Sequence, residues 1–155
     1  MRDIAITTDE VYHVCNKAVE GRSIFAKDAD RNYFIETALL VNTTDQRLLH
    51  WRRERLRKSD DSILRGGDPL LDIYAMVLMP DHFHFLAKQL VDDGMAKFCH
   101  RLCNSYGRAY NLKHDRRGRL FRGTYKAVHI SSDVQAAHVF TYIHANPLDL
   151  IVPSW

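Results

Sequence analysis

Runs of alternating and periodic hydrophobic positions divide the chain into strands and helices. Val11-Tyr-His-Val-Cys-Asn-Lys-Ala-Val19 alternates enough for a first strand, which Glu20-Gly21 ends. Asp28 or Asp30 is placed to cap a helix carrying Tyr33, Phe34, Ala38 and Val41. The pattern lapses over residues 47–69. There Trp51-Arg-Arg-Glu-Arg-Leu-Arg-Lys58, two adjacent aspartates and Gly66-Gly67-Asp68-Pro69 read as an inserted, partly helical connection outside the core. Ile73 to Met79 is nearly continuous hydrophobe, as expected of a strand covered on both faces. Pro80-Asp81 then turns the chain into another strand that opens His82-Phe83-His84-Phe85.

Asp93-Gly94 starts the clearest helix, with Met95, Phe98, Cys99, Leu102, Cys103, Tyr106, Ala109 and Tyr110 at three-and-four spacing. Lys97, Arg101, Asn104 and Arg108 fall opposite that stripe, where Tyr106 and Tyr110 read as packing residues. Arg116-Arg-Gly-Arg119 breaks the helix, and a strand follows from Thr124 to Ile130. Ser132-Asp-Val-Gln135 fits a capping box for a last helix, which Pro147 stops near Asn146. This order predicts an α+β chain of the ferredoxin-like split βαβ plan, as a single domain over residues 1–155. The antiparallel sheet carries helices on one face, its first and third strands are central, and an extra helix closes the chain.

Composition narrows the class. Hydrophobic residues at 46% and charged residues at 26% suit a globular domain in water, and no apolar run approaches the roughly 20 residues of a membrane span. The N-terminus lacks the apolar core of a secretory signal. Three cysteines, Cys15, Cys99 and Cys103, make no disulfide framework, so a cytoplasmic protein without membrane association is expected. Cys99 and Cys103 flank His100 at a spacing that is no zinc-finger pattern and suits buried small hydrophobes. The net charge of +3 hides an asymmetry: from Lys97 to Lys126 nine basic residues face one acid, Asp115. With Tyr106, Tyr110, Phe121 and Tyr125 among them, that stretch carries the footprint of a phosphate-backbone site.

The candidate chemistry begins at His82 and His84. Side chains at i and i+2 of a strand share a face, about 7 Å apart along the chain, while Phe83 and Phe85 turn the other way. Two imidazoles so placed make half a metal site, or else hydrogen-bonded filler. On the last helix, winding puts Ala136, Phe140, Ile143 and Pro147 on one side. Gln135, His138, Tyr142 and Asn146 gather on the opposite one, a phenol with an amide one turn below it.

Together, several segments resemble the HUH single-strand DNA transposases, above all the REP-associated tyrosine transposases and their insertion-sequence relatives. The segments are Met79-Pro-Asp-His-Phe-His84, Ser105-Tyr-Gly-Arg-Ala-Tyr110, Gly118-Arg-Leu-Phe-Arg-Gly-Thr-Tyr-Lys126 and Tyr142-Ile-His-Ala-Asn-Pro147. Tyr12-His-Val-Cys-Asn-Lys17 and Gly21-Arg-Ser-Ile-Phe25 are similar to that family's first strand and following turn, so the likeness spans roughly Val11 to Leu148. It implies that His82 and His84 bind a metal ion, that Asn146 supplies a third ligand through its side-chain oxygen, and that Tyr142 is the nucleophile. The insertion at 47–69 departs from shorter members. The chain also stops at Trp155, where relatives often continue with a segment that helps bind DNA.

The implied ion is Mg²⁺ or Mn²⁺, since two imidazoles and an amide oxygen leave positions open for phosphate oxygen and water. The implied reaction is attack by Tyr142 on a scissile phosphate of single-stranded, hairpin-forming DNA, giving a 5′-phosphotyrosine and a free 3′-OH. Lys97, Arg101, Arg108, Arg116, Arg117, Arg119, Arg122 and Lys126 are expected to hold the DNA backbone. Family members act as homodimers with shared sites or as monomers, and the sequence does not choose. Two alternatives stay open: a non-catalytic nucleic-acid binder using the sheet, and a zinc hydrolase built on His82 and His84 that lacks a third ligand at motif spacing.

Overall fold

The computed structural model describes residues 5–45 and 67–150, so most of the insertion expected over 47–69 lies outside the described residues. The chain runs β1 (Val11–Lys17), α1 (Asp28–Val41), β2 (Leu71–Met79), β3 (His82–Gln89), α2 (Gly94–Lys113), β4 (Lys126–Ile130) and α3 (Asp133–Ala145). The strands pair in the order β2-β3-β1-β4, antiparallel at every step. This is the split βαβ sheet, with β1 and β3 central.

One face of the sheet meets α1 and α2. Tyr12 and Val14 of β1, Phe83 and Phe85 of β3, Phe34 of α1, and Phe98, Leu102 and Tyr106 of α2 form the main core there. Phe34 is its centre, with its ring 4.9 to 5.1 Å from those of Phe25, Phe83 and Tyr106. Tyr106 is buried, and its hydroxyl donates to the Ile24 carbonyl at 2.7 Å. The last turn of α1 is tied to the start of β2 by Asn42, whose Oδ1 accepts from the Leu70 and Leu71 amides. Thr44 N–H donates to the Asp68 carbonyl, so the two ends of the insertion meet. The helix caps differ from expectation: Lys27 is the N-cap of α1, with no side-chain cap bond, and Asp28 and Asp30 fall inside its first turn. Asp30 accepts instead from Lys113, binding α1 to the end of α2.

The opposite face is divided. Ala75, Val77, Met79, Leu86 and Ile130 make its apolar part, and α3 lies over them with Ile143 buried at the contact. Ser132 Oγ accepts from Gln135 N–H as the expected cap, while Gln135 Oε1 reaches back to the Ser131 amide. The remaining part of the face is polar: His82 and His84 of β3, with Cys15 and Lys17 opposite them on β1. Apolar burial holds the helix at one end and leaves the polar end open. A bulge between Ile73 and Ala75 of β2 sets this up, because it shifts the alternation so that Ala75, Val77 and Met79 face α3. Among the described residues no helix is long and apolar enough to cross a membrane.

Candidate active site

The two histidines owe their position to a clamped turn. β2 and β3 join through Pro80-Asp81 alone, and that turn is gripped by the following segment of β1. Ala18 N–H donates to the Asp81 carbonyl at 2.7 Å, and the Ile24 and Phe25 amides donate to the Pro80 carbonyl. Asp81 is thereby fixed beside His82. Its Oδ1 accepts from His82 Nδ1 at 2.6 Å and its Oδ2 pairs with Lys17 Nζ at 3.0 Å. Burial pushes the Asp81 carboxyl up, but the bonds from His82 and Lys17 outweigh it and hold it below the ordinary carboxylate value. A carboxylate can only accept, so His82 carries its proton on Nδ1 and turns Nε2 to the open side.

His84 is buried, only 7% exposed, and its Nε2 has no hydrogen-bond partner among the described residues. Its ring stands 5.0 Å from that of His82. Burial, followed by the nearness of His13 and His82, lowers its pKa to about 4. A neutral imidazole whose buried Nε2 has no protein partner among the described residues serves a metal ion in the tautomer that leaves that nitrogen unprotonated. Tyr142 approaches from α3, with its ring edge-on to His84 at 5.5 Å and to His13 at 6.0 Å. It is 48% exposed. The three predicted side chains thus meet in one cleft of about 290 Å³, whose wall also includes Cys15, Asn16, Lys17, Arg122, Thr124 and Lys126.

The winding of α3 corrects the expected faces. Ala136, Val139 and Ile143 make the contact with the sheet, and Asn146 is buried at 5% exposure, whereas Phe140 is 45% exposed and lies against His144. Asn146 therefore sits near the packed side, and Tyr142 stands at the margin of the stripe facing the histidines. Asn146 closes the helix, its N–H donating to the Tyr142 carbonyl. Its Nδ2 is buried without a partner among the described residues, and it does not line the cleft. The donor set fits a divalent ion in part: His82 and His84 offer Nε2, and an orphaned amide ends the same helix that carries the phenol. Among the described residues no three His, Cys, Asp or Glu side chains gather around a metal position.

The basic stretch separates into distinct jobs. Arg122 and Lys126 reach the cleft because residues 120–122 pair with the end of β1: Val19 N–H donates to the Leu120 carbonyl and Arg122 N–H to the Lys17 carbonyl. Arg108, Arg117 and Arg119 are exposed, as is Lys97, whose Nζ donates to the Asp92 carbonyl. Arg116 donates to Asn111 Oδ1. Arg101 points inward, its Nη1 donating to the Thr43 carbonyl at 2.7 Å and more weakly to that of Val41, where α1 ends. A charged hydrogen bond of this kind contributes about 1.5–3 kcal/mol. Arg101→Ala is expected to lower Tm by roughly 3–10 °C while reducing affinity for DNA less than Arg122→Ala does. Thermal melts and filter binding on the two variants check the split.

The remaining candidates are packing residues. Tyr110 is buried with Tyr106, whose phenol is pushed up by burial and then by Asp30. Burial pushes the Cys103 thiol up to about 12, Cys99 is buried, and none of the three cysteines is in a disulfide. The sequence reading missed His13, whose Nε2 lies 2.8 Å from His84 Nδ1. The signal was available: His13 shares the parity of Cys15 and Lys17 on the central strand next to β3, so it faces the histidines.

The low pKa of His84 has a consequence for the metal-free protein. Unfolded, His84 binds a proton below its ordinary value of 6.5; folded, it stays neutral down to about 4. The unfolded chain then holds more protons in that window, so stability is full above it and falls as pH drops through it, by up to about 3 kcal/mol. Burial lowers His13 as well, in the same direction. Urea unfolding in EDTA, repeated between about pH 7 and 4.5, is expected to show a falling midpoint, with a shallower fall in His84→Phe.

Residues 35–146 match the family model described as transposase IS200 like. Among solved structures, the chain is similar to a REP-associated tyrosine transposase bound to a REP hairpin. The TM-score is 0.59 at 16% identity, over 97% of this chain and 73% of that one. It also aligns with a Deinococcus radiodurans R1 protein provisionally assigned as a transposase, at TM-score 0.49 and 13% identity over 93% and 95% of the two chains. No curated protein matches.

Proposed function

Because the chain belongs to the IS200-like transposase family, we propose that it is a metal-dependent, single-strand-specific DNA transposase of the HUH type. In this reading it works as a single domain that cuts and rejoins one strand through a 5′-phosphotyrosine on Tyr142. The observation that carries the reading is the exposed Tyr142 ring set edge-on to His84, in a cleft that also holds His82, Arg122 and Lys126. His82 and His84 would hold the ion, Mg²⁺ or Mn²⁺, and Asn146 would supply the third protein ligand through its side-chain oxygen. When bound, such an ion polarises a non-bridging oxygen of the scissile phosphate.

The side chains do the rest. Arg122 and Lys126 seat the phosphate against Tyr142 by charge-assisted bonds. The Tyr142 oxygen forms a bond to phosphorus as the bond to the 3′-oxygen breaks. The phenolic proton is lost to the surroundings, and the departing 3′-oxygen takes one up. One phosphodiester is exchanged for another, so a second 3′-OH can reverse the step and join a new strand without ATP. Lys97, Arg108, Arg116, Arg117 and Arg119 bind the flanking backbone, a contact that weakens steeply with salt. The hairpin held by the solved relative supports a hairpin-forming single strand as the substrate.

The test uses single-stranded hairpin oligonucleotides labelled at either end and incubated with the protein and Mn²⁺. The expected product is a covalent adduct on denaturing gels that keeps the 3′-end label, with the 5′-labelled fragment released. Tight hairpin binding with no adduct under any condition would leave a non-catalytic binding protein.

A further inference from the structure

His13 and His84 stand side by side on the two central strands, in nearly parallel planes, and share one hydrogen between His13 Nε2 and His84 Nδ1 at 2.8 Å. Since His13 pairs with Leu86 and Cys15 with His84, the two rings are diagonal neighbours across the ladder. Two neutral imidazoles can share that hydrogen in only two ways. If His13 donates, His84 must carry its own proton on Nε2. That N–H is then a buried donor with nothing among the described residues to receive it, and the ring offers the cleft no lone pair for a cation. If His84 donates, Nε2 is a bare lone pair beside Tyr142, and His13 keeps its proton on Nδ1. The second arrangement repeats what Asp81 does for His82.

We propose that His13 is a positioning residue: it accepts the Nδ1–H of His84 and so holds that ring with an unprotonated Nε2 turned to the cleft. The two ligand histidines are thus oriented by different partners, a carboxylate for His82 and a neutral imidazole for His84. The neutral partner leaves the site one negative charge poorer than a second carboxylate would, which suits a cleft that must admit a phosphate. His13 itself is committed to His84 and is no ligand. The proposal rests on the reading of His82 and His84 as ion ligands.

Two measurements decide it. Long-range proton–nitrogen correlation spectra of the metal-free, ¹⁵N-labelled protein near neutral pH report which ring nitrogen of each histidine is protonated. The expected result is His84 protonated on Nδ1 and bare at Nε2; a proton on Nε2 overturns the assignment. Titration with Mn²⁺ followed by electron paramagnetic resonance then compares variants whose folding is checked by thermal melts. His13→Leu is expected to bind the ion about 10–100-fold more weakly, and His13→Gln, whose amide oxygen can accept the same hydrogen, to retain most of the affinity. His13→Leu binding as tightly as wild type overturns the proposal. Should His13→Leu fail to fold, the spectra and His13→Gln still decide. Wild-type protein that takes up no Mn²⁺ while His84 is protonated on Nδ1 defeats the ion reading alone.

Discussion

Tyr142→Phe is expected to abolish covalent capture of single-stranded hairpins, lowering strand cleavage by about 10⁴-fold or more, while Mn²⁺ uptake, hairpin affinity and Tm stay near wild type. The change removes one oxygen from a ring that is 48% exposed, and it keeps the edge contacts to His84 and His13. Among the described residues, no other tyrosine lines the cleft. Tyr106 and Tyr110 lie in the core on the far face of the sheet, and the Tyr106 hydroxyl is already spent on the Ile24 carbonyl. The measurement is adduct yield from 3′-labelled oligonucleotide, with gel-shift affinity as the control. Wild-type yield from Tyr142→Phe would move the nucleophile to another group and break the link between α3 and the histidines.

The strands and helices were legible because burial imposes a period on them. His82-Phe83-His84-Phe85 needed only two-residue alternation to split its rings between a core and a cleft, and β3 splits them that way. The stop at Asn146 followed from Pro147. What alternation could not reveal was the company each face keeps. The bulge in β2 moves Ala75, Val77 and Met79 toward α3, and the patch they form selects Ala136, Val139 and Ile143 as the seat of the helix. A hydrophobicity count alone weights Phe140 above Val139, so the helix was read with its packed stripe rotated and Asn146 on the wrong side.

The site residues that were missed belong to pairings across strands. His13 joins His84 through the register between β1 and β3; its parity with Cys15 and Lys17 marks its face, and only the pairing names its partner. Arg101 looked like its basic neighbours on the polar side of α2. The carbonyls that claim it sit at the end of α1, distant in sequence and hidden from any helical wheel. Asp81 read as a turn former. It is one, and the same geometry that makes the turn tight delivers its carboxylate to His82.

Replacing both imidazoles, His82→Ala with His84→Ala, is expected to eliminate Mn²⁺ uptake and to cut adduct formation by about 10³-fold or more, the loss of several kcal/mol of charge stabilisation. Wild-type protein in chelator should fall to the same level, and chelator should do nothing further to the variant. The single changes are not expected to add, because both act on one ion. They should also differ in kind. Removing His82 leaves the Asp81 carboxylate paired with Lys17 alone, so more of its charge opposes a phosphate in the cleft that Lys17 lines. Hairpin affinity should therefore drop in His82→Ala and recover when Asp81→Asn is added, whereas His84→Ala should leave it unchanged. A double variant that cleaves at the wild-type rate in chelator would take the ion out of the mechanism and leave Arg122 and Lys126 to neutralise the phosphate by themselves.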